Sequence, residues 1–235
     1  MKIIEASYKI LNADFVMNDP EISKVIYRRI EQAGRTCYKS ESTISDDSAE
    51  RFVRNIVKNG HEAMLEHAFM TVLFTVDRGI SHELVRHRLA SFAQESTRYC
   101  NYSKDKFGNE ITVVKPVFFT ENYLQVHPEE KATYLKRFSA WYSSCSFAES
   151  SYFQMLREGA TPQEARNVLP TSVKTEIVMT ANMREWRHFL KLRAAGETGK
   201  PHPQMLEVAV PLLEELREKL PAIFEDIIPM EEVNW

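Results

Sequence analysis

Glycine is scarce in this chain. Seven glycines occur in 235 residues, less than half the usual share of about 7%. Gly196 and Gly199 are three apart, and every other neighbouring pair is separated by 19 residues or more. Neither G-x-G-x-x-G nor G-x-x-x-x-G-K-[ST] can be written anywhere. A nucleotide bound by this protein is therefore held by side chains, without a glycine loop.

Other shortages narrow the class further. The three cysteines, Cys37, Cys100 and Cys145, are odd in number, far apart and without a C-x-x-C. That excludes a disulfide framework or zinc ribbon and fits a reducing cytoplasm. No apolar run approaches the roughly 18 residues of a membrane span. Glu5, Lys9, Asn12 and Asp14 interrupt any signal-peptide core. Repeats, low-complexity tracts and Pro/Gly/Ser-rich linkers are missing, so residues 1–235 read as a single domain. The charges nearly balance, 30 Lys+Arg against 33 Asp+Glu for a net −3, which argues against a generally basic nucleic-acid binder. With 43% hydrophobic residues the chain has material for a core.

The patterning predicts an α+β fold with a small, mainly antiparallel sheet and several long helices. Residues 3–8 read as a short strand. Asn18-Asp19-Pro20 opens a helix to about residue 33, and Ser45-Asp46-Asp47 starts another that Asn59-Gly60 stops. Residues 68–77 are rich in aromatic and β-branched side chains and read as a largely buried strand. A short helix follows over 80–87, then a strand over 111–118 and a long helix from Pro128 to Glu158, ended by Gly159. Thr161-Pro162 caps a short helix. Residues 172–181 alternate as a strand, 183–194 are helical, and Pro203 opens a last long helix with the stripe Ala209, Leu212, Leu213, Leu216 and Leu220.

Polar chemistry concentrates between residues 82 and 99, directly after the apolar strand. Arg86, His87 and Arg88 are consecutive, so on a helix they would point about 100° apart and could not share one solvent face. Ser91, Gln94, Glu95, Ser96 and Arg98 follow. Guanidinium forks with hydroxyls suit an anionic ligand such as phosphate. A second signal is Arg193, on the helix face defined by Trp186, Phe189 and Leu190 where an aliphatic residue would be ordinary. Metal sites are not expected. His61 and His67 are six apart, and His82 and His87 five apart, which puts each pair on different helix faces. No G-x-S-x-G or cysteine elbow is present, and Ser96 among cations reads as a phosphate ligand.

The run Arg86-His87-Arg88-Leu-Ala-Ser91-Phe-Ala-Gln94-Glu-Ser96-Thr-Arg98-Tyr99 resembles the signature of flavin-dependent thymidylate synthases. Further matches are spread in family order over about residues 50–210: Gly60-His61-Glu62 with Glu66-His67, Glu164-Ala165-Arg166 with Leu169-Pro170, Asn182-Met183-Arg184, Phe189-Leu190-Lys-Leu192-Arg193, and His202. The resemblance implies dUMP converted to dTMP, methylenetetrahydrofolate as carbon donor, NADPH-reduced FAD as hydride source, and an α+β homotetramer with active sites between subunits. It assigns FAD contacts to His61, Arg86, His87, Arg88, Gln94, Asn182, Arg184 and His188. It assigns dUMP contacts to Glu83, Arg86, Gln94, Glu95, Ser96, Thr97, Arg98, Arg166 and Arg193. Arg193 matches the arginine held to favour ionisation at the uracil N3, in place of a cysteine nucleophile.

The chain departs from the family at a few positions. Many members have Asn-Glu at Ala93-Gln94, Ser or Thr at Ala63, and some have Asn at His188, while Gly196–Lys200 resembles an added loop. Two other classes compete with the enzyme. A non-catalytic nucleotide or single-stranded nucleic-acid binder would need a basic surface interleaved with exposed aromatics. A metal-dependent phosphohydrolase would need carboxylates and histidines at ligand spacing.

Overall fold

The structure is a computed structural model, and it describes residues 1–12 and 22–230. In chain order the elements are β1 (Lys2–Ile4), β2 (Ser7–Ile10), α1 (Ile22–Tyr38), α2 (Ser48–Lys58), β3 (Phe69–Asp77), α3 (Arg78–Leu84), β4 (Ser91–Gln94), β5 (Thr112–Val114), α4 (Glu121–Val126), α5 (Lys131–Arg157), α6 (Pro162–Ala165), β6 (Lys174–Asn182), α7 (Met183–Arg193), α8 (Pro203–Lys219) and α9 (Pro221–Phe224).

The centre of the molecule is an antiparallel sheet in the order β2-β3-β6-β4. β3 and β6 pair over nine residues, from Phe69 opposite Asn182 to Asp77 opposite Lys174. Period-2 alternation then puts Met70, Val72, Phe74 and Val76 on one face, directly across from Ala181, Met179, Ile177 and Thr175, and all eight are buried. Onto this face pack Trp186, Phe189 and Leu190 of α7, the whole predicted stripe of α8, Tyr27 and Ile30 of α1, and Val53 of α2. The Trp186 indole N–H donates to the Met70 carbonyl at 3.0 Å, which fixes α7 against β3. A second apolar cluster joins Ile111 and Val113 to Cys145 and Tyr152 of α5. The two-stranded parallel pair β1–β5 borders it.

Helix ends follow the expected chemistry. Gly60 and Gly159 stand just past α2 and α5 with φ of 69° and 92°, the left-handed conformation that closes a helix without a Cβ penalty. Thr161 and Glu164 form a reciprocal capping box at α6.

Several expectations need correction. The single strand over 3–8 is two strands, because β1 pairs with β5 while β2 pairs with β3. The first helix runs on to Tyr38, and its predicted opening at Asn18–Pro20 lies outside the described residues. The helix expected over 80–87 stops at Leu84, so Arg86–Arg88 lie in a turn and the helical argument about their directions does not apply. The strand expected over 111–118 is only Thr112–Val114, followed by a 3-10 turn. β4, α4 and α9 were not foreseen.

Candidate active site

One strand end, one turn and the helix that follows β6 build the main cleft. β3 ends in Asp77, whose carboxylate accepts the Ile80 N–H at 2.9 Å and caps α3. α3 lasts under two turns, and the chain then turns through 85–90 into β4. Because β4 is antiparallel to β6, with Ser91 opposite Thr180, it starts close to the C-terminal end of β6. There Asn182 accepts the Glu185 N–H at 2.9 Å and caps α7. The Arg86–Arg88 turn and α7 are thereby brought side by side.

The cleft between them encloses about 1400 Å³ and is lined by Arg86, His87 and Arg88, by Asn182, Arg184, Glu185, His188, Lys191 and Arg193, and by Glu62 and Glu66 of the 3-10 turn Glu62–His67. Arg86, Arg88, Arg184 and His188 are exposed, whereas His87 and Glu185 are each only 5% exposed. Arg184 donates to Glu66 at 2.6 Å. Arg193 Nε donates to His87 Nε2 at 3.2 Å, Nη1 to the Glu83 carboxylate at 2.9 Å, and Nη2 to the Glu83 carbonyl at 3.5 Å. Burial, then Arg193, then His188, push the His87 imidazole down to about 4, so the ring is neutral and can accept. Burial raises the Glu185 carboxyl, and His188 offsets part of that.

The remaining predicted residues gather elsewhere. β4 carries the chain away from the cleft, and Gln94 through Arg98 do not line it. The Gln94 amide is tied to the hydroxyls of Ser81 and Thr175, at 2.9 and 3.2 Å. Glu95 meets Lys174 at 2.9 Å and the Tyr102 hydroxyl at 3.1 Å. Arg166 donates to Thr97 at 3.4 Å, Arg98 donates to Gln163 at 3.4 Å, and the Ser96 hydroxyl accepts the Arg98 N–H at 3.4 Å. Ser96, Thr97, Arg98 and Arg166 thus form a second cationic group. His61 is exposed beside Glu62 and outside the lining of the cleft.

Three contributors were missed in the sequence. Glu185 lies on the buried side of α7, eight residues and so about two turns before Arg193. A carboxylate on that otherwise apolar face was the available signal. Arg187, 1% exposed, donates to Glu62 at 2.9 Å, to both Asp226 oxygens at 2.7 Å and to the Ile223 carbonyl. It fixes the turn that carries Glu62 and Glu66. Lys191 adds a further cation to the wall. One atom each of His87, Glu185 and His188 also falls within a 4.8 Å set that a metal ion could occupy. The Arg193 guanidinium 3.2 Å from His87 opposes a second cation there.

A small sheet under packed helices, with a wide cleft along α7 lined by five Arg and Lys side chains and four carboxylates, defines an α+β protein with room for a large polar ligand. The family described as "Thymidylate synthase complementing protein" matches residues 24–222. A flavin-dependent thymidylate synthase of Corynebacterium aurimucosum is 36% identical over 206 residues, covering 84% of this chain and 78% of the relative. A protein of the same name from Mycobacteroides abscessus is 33% identical over 204 residues, with the same coverage. The chain belongs to this thymidylate synthase family. Its fold is also that of PolB, a UMP/dUMP methylase of Streptomyces cacaoi solved with 5-Br UMP, at TM-score 0.72, 20% identity and coverage of 96% and 95%.

Proposed function

We propose that this chain is a flavin-dependent thymidylate synthase, a methyltransferase that converts dUMP to dTMP in nucleotide biosynthesis. The carrying observation is the cleft itself, in a chain of this family: Arg86, Arg88, Arg184 and Arg193 converge on one space with a neutral imidazole behind them. About 1400 Å³ exceeds the roughly 300–1,000 Å³ of ordinary small-molecule sites and suits a dinucleotide. The donor set fits FAD, since guanidinium forks match pyrophosphate oxygens and side chains replace the missing glycine loop. Arg86, Arg88, Arg184, His188 and Asn182 would hold it. Bound there, the flavin supplies hydride, and NADPH and methylenetetrahydrofolate complete the reaction as reductant and carbon donor.

The chain's own part is orientation and charge. Arg193 stays cationic at any working pH. Against the uracil N3/O2 edge it stabilises negative charge as C5 becomes nucleophilic. Ser96, Arg98 and Arg166 suit the dUMP phosphate, which turns remote binding into alignment of the ring. Cys37, Cys100 and Cys145 do not line the cleft, and burial raises the Cys100 and Cys145 thiols. Both facts favour catalysis without a thiolate.

Arg193 lines the cleft while Ser96, Arg98 and Arg166 do not, which favours sites shared between subunits of a homotetramer. Exposed Phe69, Val85, Leu89 and Tyr99 around the signature supply apolar area for such contacts. Among the described residues no helix is long and apolar enough to cross a membrane, and we assign the enzyme to the cytoplasm. The purified protein is expected to show a flavin absorption spectrum, or to acquire one on adding FAD, and to form dTMP from dUMP with methylenetetrahydrofolate and NADPH. A protein that never binds flavin refutes the reading.

A further inference from the structure

An arginine has four side-chain torsions, so a guanidinium that must meet one edge of a planar base needs to be held. Arg193 is held at three points. Its Nε–H meets His87 Nε2 at 3.2 Å, and its two terminal nitrogens meet the carboxylate and carbonyl oxygens of Glu83. Three of its five N–H donors are thereby committed, and one on each terminal nitrogen is left for a ligand.

His87 is itself held. The ring is buried, with its edge against Phe189 at a centroid distance of 4.9 Å. Its Nδ1 lies 3.5 Å from the Glu185 carboxylate, and Glu185 is equally buried. A guanidinium always donates, so Nε2 must be the bare nitrogen and the imidazole proton must sit on Nδ1, facing Glu185. The carboxylate is placed to select that tautomer.

We propose that His87 and Glu185 are positioning residues for Arg193: His87 fixes the guanidinium plane through Nε, and Glu185 fixes the His87 tautomer. The inference rests on the reading of Arg193 as the group facing the uracil. It gives the central residue of the Arg-His-Arg run a task distinct from its flanks. Arg86 and Arg88 point into solvent and the cleft, while His87 points beneath, toward Arg193. The charged groups facing the imidazole are Arg193, Glu185 and His188 on α7, with Glu83 of α3 behind Arg193 and Arg86 and Arg88 on either side in the chain. Protonating the ring would remove the acceptor and set two cations face to face. The low His87 value of about 4 keeps that state out of the neutral range.

The test compares the full-length, flavin-loaded protein with His87→Leu, His87→Gln and Glu185→Leu. His87→Leu keeps apolar bulk against Phe189 but offers no acceptor. His87→Gln keeps an acceptor for Arg193 and a donor for Glu185. His87→Leu is expected to lower kcat about ten- to a hundredfold, the cost of losing a charged hydrogen bond and the alignment it enforces. Its flavin content per chain and its melting temperature should stay close to wild type, and KM for dUMP should change less than kcat. His87→Gln should recover most of the loss, and Glu185→Leu should show a smaller loss of the same kind. In an Arg193→Lys background, which has no Nε–H, His87→Leu should cost little more.

Wild-type kcat in His87→Leu overturns the proposal, as does His87→Gln performing no better than His87→Leu. Loss of flavin from His87→Leu would assign the residue to the cofactor, and full additivity with Arg193→Lys would break the link to Arg193. Crystal structures of the two His87 variants give a second readout. Arg193 should keep its place in His87→Gln and leave it in His87→Leu. That comparison decides the positioning role even if the wild-type protein forms no dTMP, which would instead count against the thymidylate synthase reading.

Discussion

Arg193 enters the cleft with its charge fixed and its plane anchored, but its side chain is not part of the apolar core, being 22% exposed. Arg193→Ala should therefore lower kcat by about 10²–10³-fold, the usual cost of one preorganised electrostatic donor, while the assembly stays intact. Steady-state kinetics with light scattering checks both halves, and normal turnover would remove the residue from the mechanism. His87 leads to a prediction about stability. Its imidazole titrates at 6.5 when unperturbed and near 4 in the fold, mainly through burial. Between those values the unfolded chain holds the extra proton. Stability is thus fully present above about 6.5 and lost as pH falls through 4, by on the order of 3 kcal/mol. Urea unfolding at pH 7 and 4.5 should show a larger drop for wild type than for His87→Gln, and equal drops would sink the assignment. These two residues were not equally legible. Arg193 interrupts an apolar stripe and so announces itself in the sequence. Glu185 falls one turn before Phe189 on the buried side of α7, but Arg184 and Arg187 on either side mask that place in the sequence. Only the long-range approach of the 85–90 turn buries it.

At the scale of elements, α7 is the part on which the cleft depends, and Arg187 ties it to its surroundings. The guanidinium joins the turn Glu62–His67 to the Ile223 carbonyl and to Asp226, beyond α9. Removing it leaves two carboxylates behind, one half-exposed at Asp226 and one at Glu62 with little access. Arg187→Ala should cost near the lower end of the about 3–5 kcal/mol typical of a broken buried pair, because Asp226 can regain water. Chemical denaturation measures it, and a change below 1 kcal/mol would show that the pairs carry no net stability. Elements whose signals are local were readable: β3 from its aromatic and β-branched residues, α8 from its stripe, and α5 from Pro128 to its glycine stop. β4 was not, because Ser91–Gln94 is only four residues long, two polar and two apolar, too short for an alternation to stand out. Its strand form comes from β6, ninety residues later in the chain. The split of residues 3–8 has the same origin, since β5 and β3 compete for neighbouring segments and each takes one.

For the whole molecule, the direction of β4 carries a consequence for assembly. It begins at the Arg86–Arg88 turn and runs antiparallel to β6, away from the end where α7 starts. Residues 96–98 follow it and do not line the cleft that Arg193 enters, although the two groups are expected on one small nucleotide. On the proposed reading of sites shared between subunits, a neighbour in a symmetric assembly brings the second group to each cleft. If so, Arg193→Ala and Arg98→Ala damage opposite halves of each site. Each variant alone should be nearly inactive. Co-expressed, they should form mixed assemblies in which roughly a quarter of the sites combine two intact halves, by random pairing of subunits. Activity should rise toward that fraction of wild type, and light scattering should report a tetramer for every species. Co-expressed variants as inactive as either parent, in assemblies shown by mass spectrometry to be mixed, would place both groups in one subunit's site.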